Sequence, residues 1–158
     1  MTIKRILVPV DFSAPAVAAL DYALDFARPL GAELVVLYVV EPIYSVTTGD
    51  FYAPSAELSV LMQEQRQQGR QQLAQTEARL KKRYDKVRML LQDGLAYQAI
   101  IGAAAKQKAD LIIMATHGRT GLSHLFMGSV AEKVVRTAGC PVLTLRVPER
   151  PKRKRRAR

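Results

Sequence analysis

Five short apolar runs, separated by longer segments of helical periodicity, constrain this chain more than any other feature. Runs that are apolar nearly throughout are typical of strands covered on both faces of a sheet. Strict alternation of strand and helix predicts a parallel sheet with right-handed crossovers and helices on both faces. The predicted strands are residues 3–10, 33–40, 87–92, 110–115 and 142–147, and the predicted helices are residues 14–30, 56 to about 84, 97–106 and 130–138. We therefore predict a single-domain α/β protein with an open five-stranded parallel sheet.

The boundaries of the elements carry their own signals. Ser13 is a good N-cap for the first helix, Pro15 falls in its first turn, and Gly31 follows its end. Gly69 is expected to weaken the second helix. Pro9 lies near the end of the first strand, where we expect the chain to be leaving the ladder. The apolar positions at helical spacing are Val17, Leu20, Ala23, Leu24 and Ala27 in the first helix and Leu58, Leu61, Met62, Leu73 and Leu80 in the second.

The length and the cysteine content of the chain indicate how many domains it has and which compartment it occupies. The 158 residues, 49% of them apolar, suffice for one domain with its own core. Cys140 is the only cysteine, so the chain has no internal disulfide, and this usage favours a reducing compartment. No apolar run approaches the roughly 20 residues of a membrane span. The first apolar run ends at Asp11, too early for a secretory leader. We therefore predict a cytoplasmic protein with no membrane partner.

The positive charge is concentrated at the C-terminus. The net charge is +10, and residues 148–158 hold seven basic side chains and one acidic side chain, so they carry +6 of it. We place the domain at residues 1–147 and predict that the basic tail, residues 148–158, is disordered. The tail is either a solvated extension or an electrostatic arm for nucleic acid. It has no aromatic residue to stack on bases, so such binding would be nonspecific and sensitive to salt.

The carboxyl edge of the predicted sheet is where a ligand is expected, because open α/β sheets bind ligands where their strand order reverses. This rule selects residues 9–13, 39–42 and 115–129. In the third stretch, Gly128 and Ser129 open the last helix, whose N-terminal N–H groups and partial positive charge suit a phosphate. The stretch is neither a Walker A loop nor G-x-G-x-x-G. Glycine spacing alone therefore leaves a phosphate site and a tight connection equally open.

Four separated segments, in order, resemble the universal stress protein family. That family carries G-x-x-G-x9-G-[ST] after its fourth strand, and this chain has Ala115, Gly118, Gly128 and Ser129 at those positions. The opening ILVPVDFS, the second strand LVVLYVVEP and the region around Gly94 and residues 100–104 are also similar, so the resemblance covers residues 3 to about 147. It implies a doubly wound, Rossmann-like sheet in the order 3-2-1-4-5. It also implies a homodimer through the fifth strand, residues 142–147, and ATP held across the first and fourth strands.

The resemblance also implies a set of nucleotide-binding residues. Asp11 would contact the adenosine part and Val39 the adenine edge through its backbone. Glycines 118 and 128 and Ser129 would cradle ribose and phosphates. The full predicted set is Pro9, Val10, Asp11, Val39, Met114, Ala115, His117, Gly118, Arg119, Gly128, Ser129 and Val130. Ala115 replaces the first glycine of the motif, and its methyl group would lie against the ribose or phosphates.

These features predict a stress-response protein that binds ATP or another adenine nucleotide as a regulatory switch. It is expected not to be an enzyme, with at most slow hydrolysis, because no acid–base pair is recognisable. Two histidines, His117 and His124, without metal-like spacing predict no metal site, and any magnesium would arrive with ATP, held by its phosphates. The alternatives are a dimerising interaction module with a vestigial pocket, nucleic-acid association through the tail and, last, a nucleotide-using ligase or synthase.

Several residues also have purely structural interpretations. Asp11 is suited to an Asx-turn, and Ser13 is better explained as an N-cap than as a ligand contact. Cys140, between a glycine and a proline, is expected to be a buried, inert thiol. The fifth strand needs cover if it forms a sheet edge, which independently favours pairing with a second copy or a folded-back tail. Residues 41–55 form a long predicted loop that is a candidate flap over the site.

Overall fold

The computed structural model describes residues 2–42, 56–116 and 127–146. Its strands, numbered along the chain, form one parallel sheet in the order 3-2-1-4-5, so the predicted fold class and strand order are confirmed. The elements along the chain are β1 (Arg5–Val10), α1 (Ala14–Leu30), β2 (Glu33–Val40), α2 (Ala56–Lys81), β3 (Val87–Asp93), α3 (Ala96–Lys106), β4 (Leu111–Ala115), α4 (Ser129–Thr137) and β5 (Val142–Leu145).

Alternating side chains of the strands build a separate apolar layer on each face of the sheet. Ile6 and Val8 of β1 pack with α1 and α2, whereas Leu7 between them packs with α3 and α4. All three side chains are fully buried. Burial on both faces explains why the strands are apolar nearly throughout, as in other parallel sheets covered by helices.

The ends of α1 follow the predicted signals. The Oγ of Ser13 accepts a hydrogen bond from the N–H of Ala16 (3.4 Å), which confirms Ser13 as the N-cap. Gly31 ends the helix in the left-handed conformation, with φ 62°. The buried stripe includes Ala16 rather than the predicted Val17, because the sheet meets the helix slightly to one side of the expected face.

Other predictions from the sequence require correction. Leu61 was expected on the buried face of α2 but is 49% exposed, because the core contacts of this helix come later, at Leu73 and Leu80. The predicted first strand is two residues too long at its start, and α2 ends at Lys81 rather than near residue 84. The fifth strand ends at Leu145. A strand ends where the adjacent strand no longer supplies hydrogen-bond partners, and local composition does not encode that position.

Pro9 remains inside β1, although we expected the chain to be leaving the ladder there. It stays in register with Leu37 of β2, whereas the pairing of β1 with β4 covers Ile6 and Leu7. Since proline has no N–H to donate, it suits a position where a strand keeps one neighbour and separates from the other. Strands β1 and β4 therefore diverge toward the carboxyl edge of the sheet.

The opposite edge of the sheet is held by Asp110. Its Oδ2 accepts hydrogen bonds from the backbone N–H groups of Lys4 (2.8 Å) and Arg5 (2.9 Å), which joins the starts of β1 and β4. These two bonds stabilise the charged carboxylate and lower the pKa of Asp110.

The Cys140 thiol has a raised pKa, mainly because it is partly buried and also because the charge of Asp110 lies nearby. A raised pKa agrees with an inert thiol, although the residue is half-buried rather than fully buried.

Candidate functional site

A cavity of about 420 Å³ opens at the carboxyl edge, where β1 and β4 diverge. This is the topological switch point, since the chain runs outward from β1 in one direction through β2 and in the other through β4. The residues lining it are Pro9, Val10, Asp11, Ala16, Leu37, Tyr38, Val39, Glu41, Gln65, Ala96, Ile100, Met114, Ala115, Thr116, Gly128, Ser129, Val130 and Ala131. The volume falls in the range of ordinary small-ligand pockets.

The turn after β1 presents Asp11 to this cavity. Asp11 Oδ1 accepts hydrogen bonds from the N–H (3.0 Å) and the Oγ (2.5 Å) of Ser13, so the predicted Asx-turn is present. Phe12 between them has a φ of 61°, a left-handed conformation that a bulky residue rarely adopts. Its ring lies 5.0 Å from that of Tyr38, centroid to centroid, which helps to hold the strained turn. A role of Asp11 in nucleotide contact stays a prediction.

The start of α4 forms one end of the cavity. Gly128 is its N-cap, with φ −60° and ψ 147°, and supplies no side-chain cap for the helix. The N–H of Gly128 donates to the carbonyl of Thr116 (2.8 Å), which ties the start of the helix to the end of β4. Ser129 is exposed and Val130 is half-buried. First-turn N–H groups without a side-chain cap are suited to an anionic group in the cavity.

The other end of the cavity is formed by residues that the sequence did not single out as ligand contacts. Glu41 accepts a hydrogen bond from the N–H of Ala96 (2.9 Å) and thereby caps α3, whose own N-cap Leu95 has no capping side chain. The Oε1 atom of Gln65, on α2, is buried and has no hydrogen-bond partner within the described part of the chain. Glu41 lies within residues 39–42, which the sequence places at the carboxyl edge of the sheet. Its position in the sequence could therefore have identified it. Gln65 carries no such signal in a helix rich in glutamine.

The structure brings nine of the twelve predicted site residues to this cavity. The other three, His117, Gly118 and Arg119, lie outside the described residues, as do His124 and residues 43–55 of the predicted flap. Whether the nine contact a nucleotide stays a prediction. Ala115, the last residue of β4, does not have a positive φ, because Phe12 and Lys108 are the non-glycine residues with positive φ in the described ranges. Alanine therefore fits this position without backbone strain.

Residues 2–42, 56–116 and 127–146 contain no group of three or more histidine, cysteine or carboxylate side chains that could hold a metal ion. In the same part of the chain, no helix has the length and apolar character that crossing a membrane requires.

The doubly wound sheet and its switch-point cavity define a class of α/β proteins in which small ligands are commonly held at the carboxyl edge. Within that class, the sequence model described as "Universal stress protein family" matches residues 2–146. The chain belongs to the universal stress protein family. It is 32% identical over 149 residues to a universal stress protein of Methanocaldococcus jannaschii, covering 93% of this chain and 84% of that protein. It is 34% identical over 143 residues to one of Thermus aquaticus, covering 90% and 98%.

Solved structures show the same fold. A universal stress protein from Lactobacillus plantarum superimposes with a TM-score of 0.80 at 25% identity, covering 92% of this chain and 99% of that one. A universal stress protein described in complex with cAMP has a TM-score of 0.69 at 22% identity, with coverage of 92% and 98%. One from Arabidopsis thaliana, described with AMP bound, has a TM-score of 0.65 at 18% identity, with coverage of 92% and 93%. At such identities the latter two establish a shared fold.

Proposed function

We propose that this protein binds an adenine nucleotide in the switch-point cavity and acts in the stress response as a ligand-dependent switch. The observation that carries the proposal is the meeting of three features around one cavity. These are the N-terminus of α4, the Asp11 turn and the end of β2. The cAMP and AMP complexes of two proteins with this fold support an adenine nucleotide as the ligand.

The charges around the cavity orient the proposed nucleotide. Phosphates are favoured at the start of α4, where N–H groups point outward and the helix dipole is positive. They are disfavoured at the opposite end, where the Glu41 carboxylate caps α3. The base therefore lies toward Val39 and Glu41. Asp11, at the end of β1 between the two, is placed for the hydroxyl groups of the ribose.

The polar groups of the cavity support binding rather than fast catalysis. Asp11 and Glu41 are the carboxylates among the described lining residues, and each already accepts a backbone N–H bond. A general base needs to reach the proton that it removes, and carboxylates engaged in turns and caps are poorly suited to that role. We therefore propose that ATP acts as a regulatory ligand, with at most slow hydrolysis, and that magnesium is carried on its phosphates.

Isothermal titration calorimetry with ATP and magnesium, on protein stripped of nucleotide, tests the proposal. We expect saturable binding that is weakened about tenfold or more by Asp11→Ala, since a charged hydrogen-bond acceptor would be lost. Asp11→Asn is the matched variant, because its amide oxygen can still accept the bonds from Ser13 and preserve the turn. Absence of binding to any adenine nucleotide at millimolar concentration would instead support an interaction module with a vestigial pocket.

We also propose a homodimer that pairs through β5. This strand forms one edge of the sheet, and its four residues, Val142–Leu145, are all half-buried. A second copy related by a two-fold axis would cover that edge. We expect sedimentation equilibrium to give twice the mass of the chain at micromolar concentration, and a monomer throughout the range would contradict the proposal.

The basic tail, residues 148–158, lies outside the described residues. Nucleic-acid association through it stays a prediction of the sequence. If it occurs, deletion of the tail will abolish binding to DNA or RNA at low salt, and binding that survives the deletion would exclude this role.

A further inference from the structure

The phosphate end of the switch-point cavity is short of positive charge. Asp11 and Glu41 are the charged side chains among the described residues that line the cavity, and no lysine or arginine of that set offsets them. The N-terminus of α4 is equivalent to only about half a positive charge, and Arg119, outside the described residues, would add one. The triphosphate of ATP carries several negative charges. Such a ligand therefore calls for a further source of positive charge.

The end of β5 lies close to the start of α4. Strand β5 runs parallel to β4, so it ends at the same carboxyl edge of the sheet. The N–H of Thr116 donates to the carbonyl of Leu145 (3.0 Å), and the carbonyl of Thr116 accepts from the N–H of Gly128 (2.8 Å). A single residue therefore joins the two ends. Each such backbone pairing spans about 5 Å, so the end of β5 and the start of α4 lie within roughly 10 Å of one another.

Basic side chains follow the end of β5 at short sequence distance. The basic tail, residues 148–158, carries +6, and its first basic residue, Arg150, comes five residues after Leu145. An extended chain spans about 3.4 Å per residue, so five residues reach roughly 17 Å. That reach exceeds the separation between the end of β5 and the start of α4. Lys152, Arg153 and Lys154 follow directly after Pro151. The tail is therefore long enough to bring several cations to the phosphate end of the cavity.

We propose that the basic tail binds the outer phosphates of a nucleotide held at the start of α4, and thereby makes the site prefer nucleoside triphosphates to monophosphates. This inference rests on the proposed function and names the source of its phosphate selectivity. The phosphate next to the ribose is common to AMP and ATP, and the N-terminus of α4 can bind it in both. The outer phosphates are present in ATP alone, so ATP gains more from the tail than AMP does.

Calorimetric affinities of the full chain for ATP and AMP at low salt test the proposal. In the triple variant Lys152→Gln, Arg153→Gln, Lys154→Gln, the affinity for ATP is expected to fall about tenfold, as the loss of three exposed ion pairs allows, and that for AMP less than about threefold. Raising the ionic strength from about 0.05 M to about 0.5 M should lower the ATP-to-AMP affinity ratio more in the wild type than in the variant. Magnesium should reduce the effect of the variant, because it offsets phosphate charge.

A matched control removes the same charge from the opposite edge of the sheet. Lys82, between α2 and β3, and Lys106 and Lys108, between α3 and β4, are exposed at the amino edge. The triple variant Lys82→Gln, Lys106→Gln, Lys108→Gln is expected to leave the ATP-to-AMP affinity ratio nearly unchanged. An equal loss of ATP affinity in this variant would assign the effect to net charge and overturn the role of the tail.

Tryptic cleavage of the tail gives a readout that does not depend on a variant. Trypsin cuts after lysine and arginine, so side chains held on phosphates are cut more slowly. Saturating ATP is expected to slow cleavage within residues 152–158 of the wild type severalfold, and saturating AMP much less. Equal rates with the two nucleotides would contradict the proposal.

The remaining outcomes separate this inference from the proposed function. An unchanged ATP-to-AMP ratio in the tail variant would overturn the inference while leaving nucleotide binding intact. Tighter binding of ATP by that variant would also overturn it, and would show that the tail competes with the nucleotide for the cavity. If the wild type binds neither ATP nor AMP, with or without magnesium, the proposed function fails and the inference fails with it.

Discussion

Gly69→Ala is expected to destabilise the protein by about 2 kcal/mol, although alanine is the better helix former. A Cβ atom at Gly69 would lie 2.3 Å from Cε1 and 2.6 Å from Cδ1 of Tyr38, far inside van der Waals contact. The ring cannot move aside easily, because Tyr38 is 5% exposed and packs against Phe12. The overpacking therefore outweighs a gain of about 1 kcal/mol in helix propensity. Urea unfolding of wild type and variant measures the difference.

Gly102→Ala is the matched control for this prediction. Gly102 lies inside α3, and a Cβ atom there would meet nothing within 4 Å. The substitution is expected to stabilise the protein by about 0.5–1 kcal/mol through helix propensity alone. A Gly69→Ala variant that gained stability to the same extent would show that the ring of Tyr38 does not press on α2.

Ser129→Asp is expected to weaken ATP binding on the order of 100-fold without loss of stability. Ser129 is the first residue of α4 and lines the cavity, so a carboxylate there would face the proposed phosphates at short range. The same charge suits the helix, because an acid in the first turn stabilises its dipole by about 0.3–1 kcal/mol. The affinity for ATP, measured by calorimetry, is therefore expected to fall. The Tm of the nucleotide-free protein is expected to rise or to stay unchanged.

Two further variants show whether position or net charge causes the loss of affinity. Ser129→Ala removes the hydroxyl without adding charge and should cost less than about tenfold. Gln75→Glu adds one negative charge on an exposed position of α2 that does not line the cavity, and should leave affinity nearly unchanged. Wild-type affinity in Ser129→Asp would place the phosphates away from α4.

Much of the ligand cavity follows from the order of elements along the chain. Once the strands alternate with helices, the ends of β1, β2 and β4 meet at one edge, so Asp11, Val39 and Ala115 are brought together. The lining residues contributed by α2 and α3 were not among the predicted ones. Ala96 and Ile100 line the cavity from α3, and nothing in their own sequence distinguishes them from ordinary helical positions.

Local patterns in the sequence predict the α/β class, the two-sided burial of the strands and the caps of α1. Each of these depends on periodicity or on a residue and its immediate neighbours. The folded chain alone shows that Gly69 lies against the ring of Tyr38, that Phe12 has a positive φ, and that Gln65 lines the cavity. These features depend on which distant segments approach, and a contact between α2 and β2 leaves no local pattern in either segment. Helix propensity alone counts Gly69 as destabilising, but the packing of α2 against Tyr38 requires it.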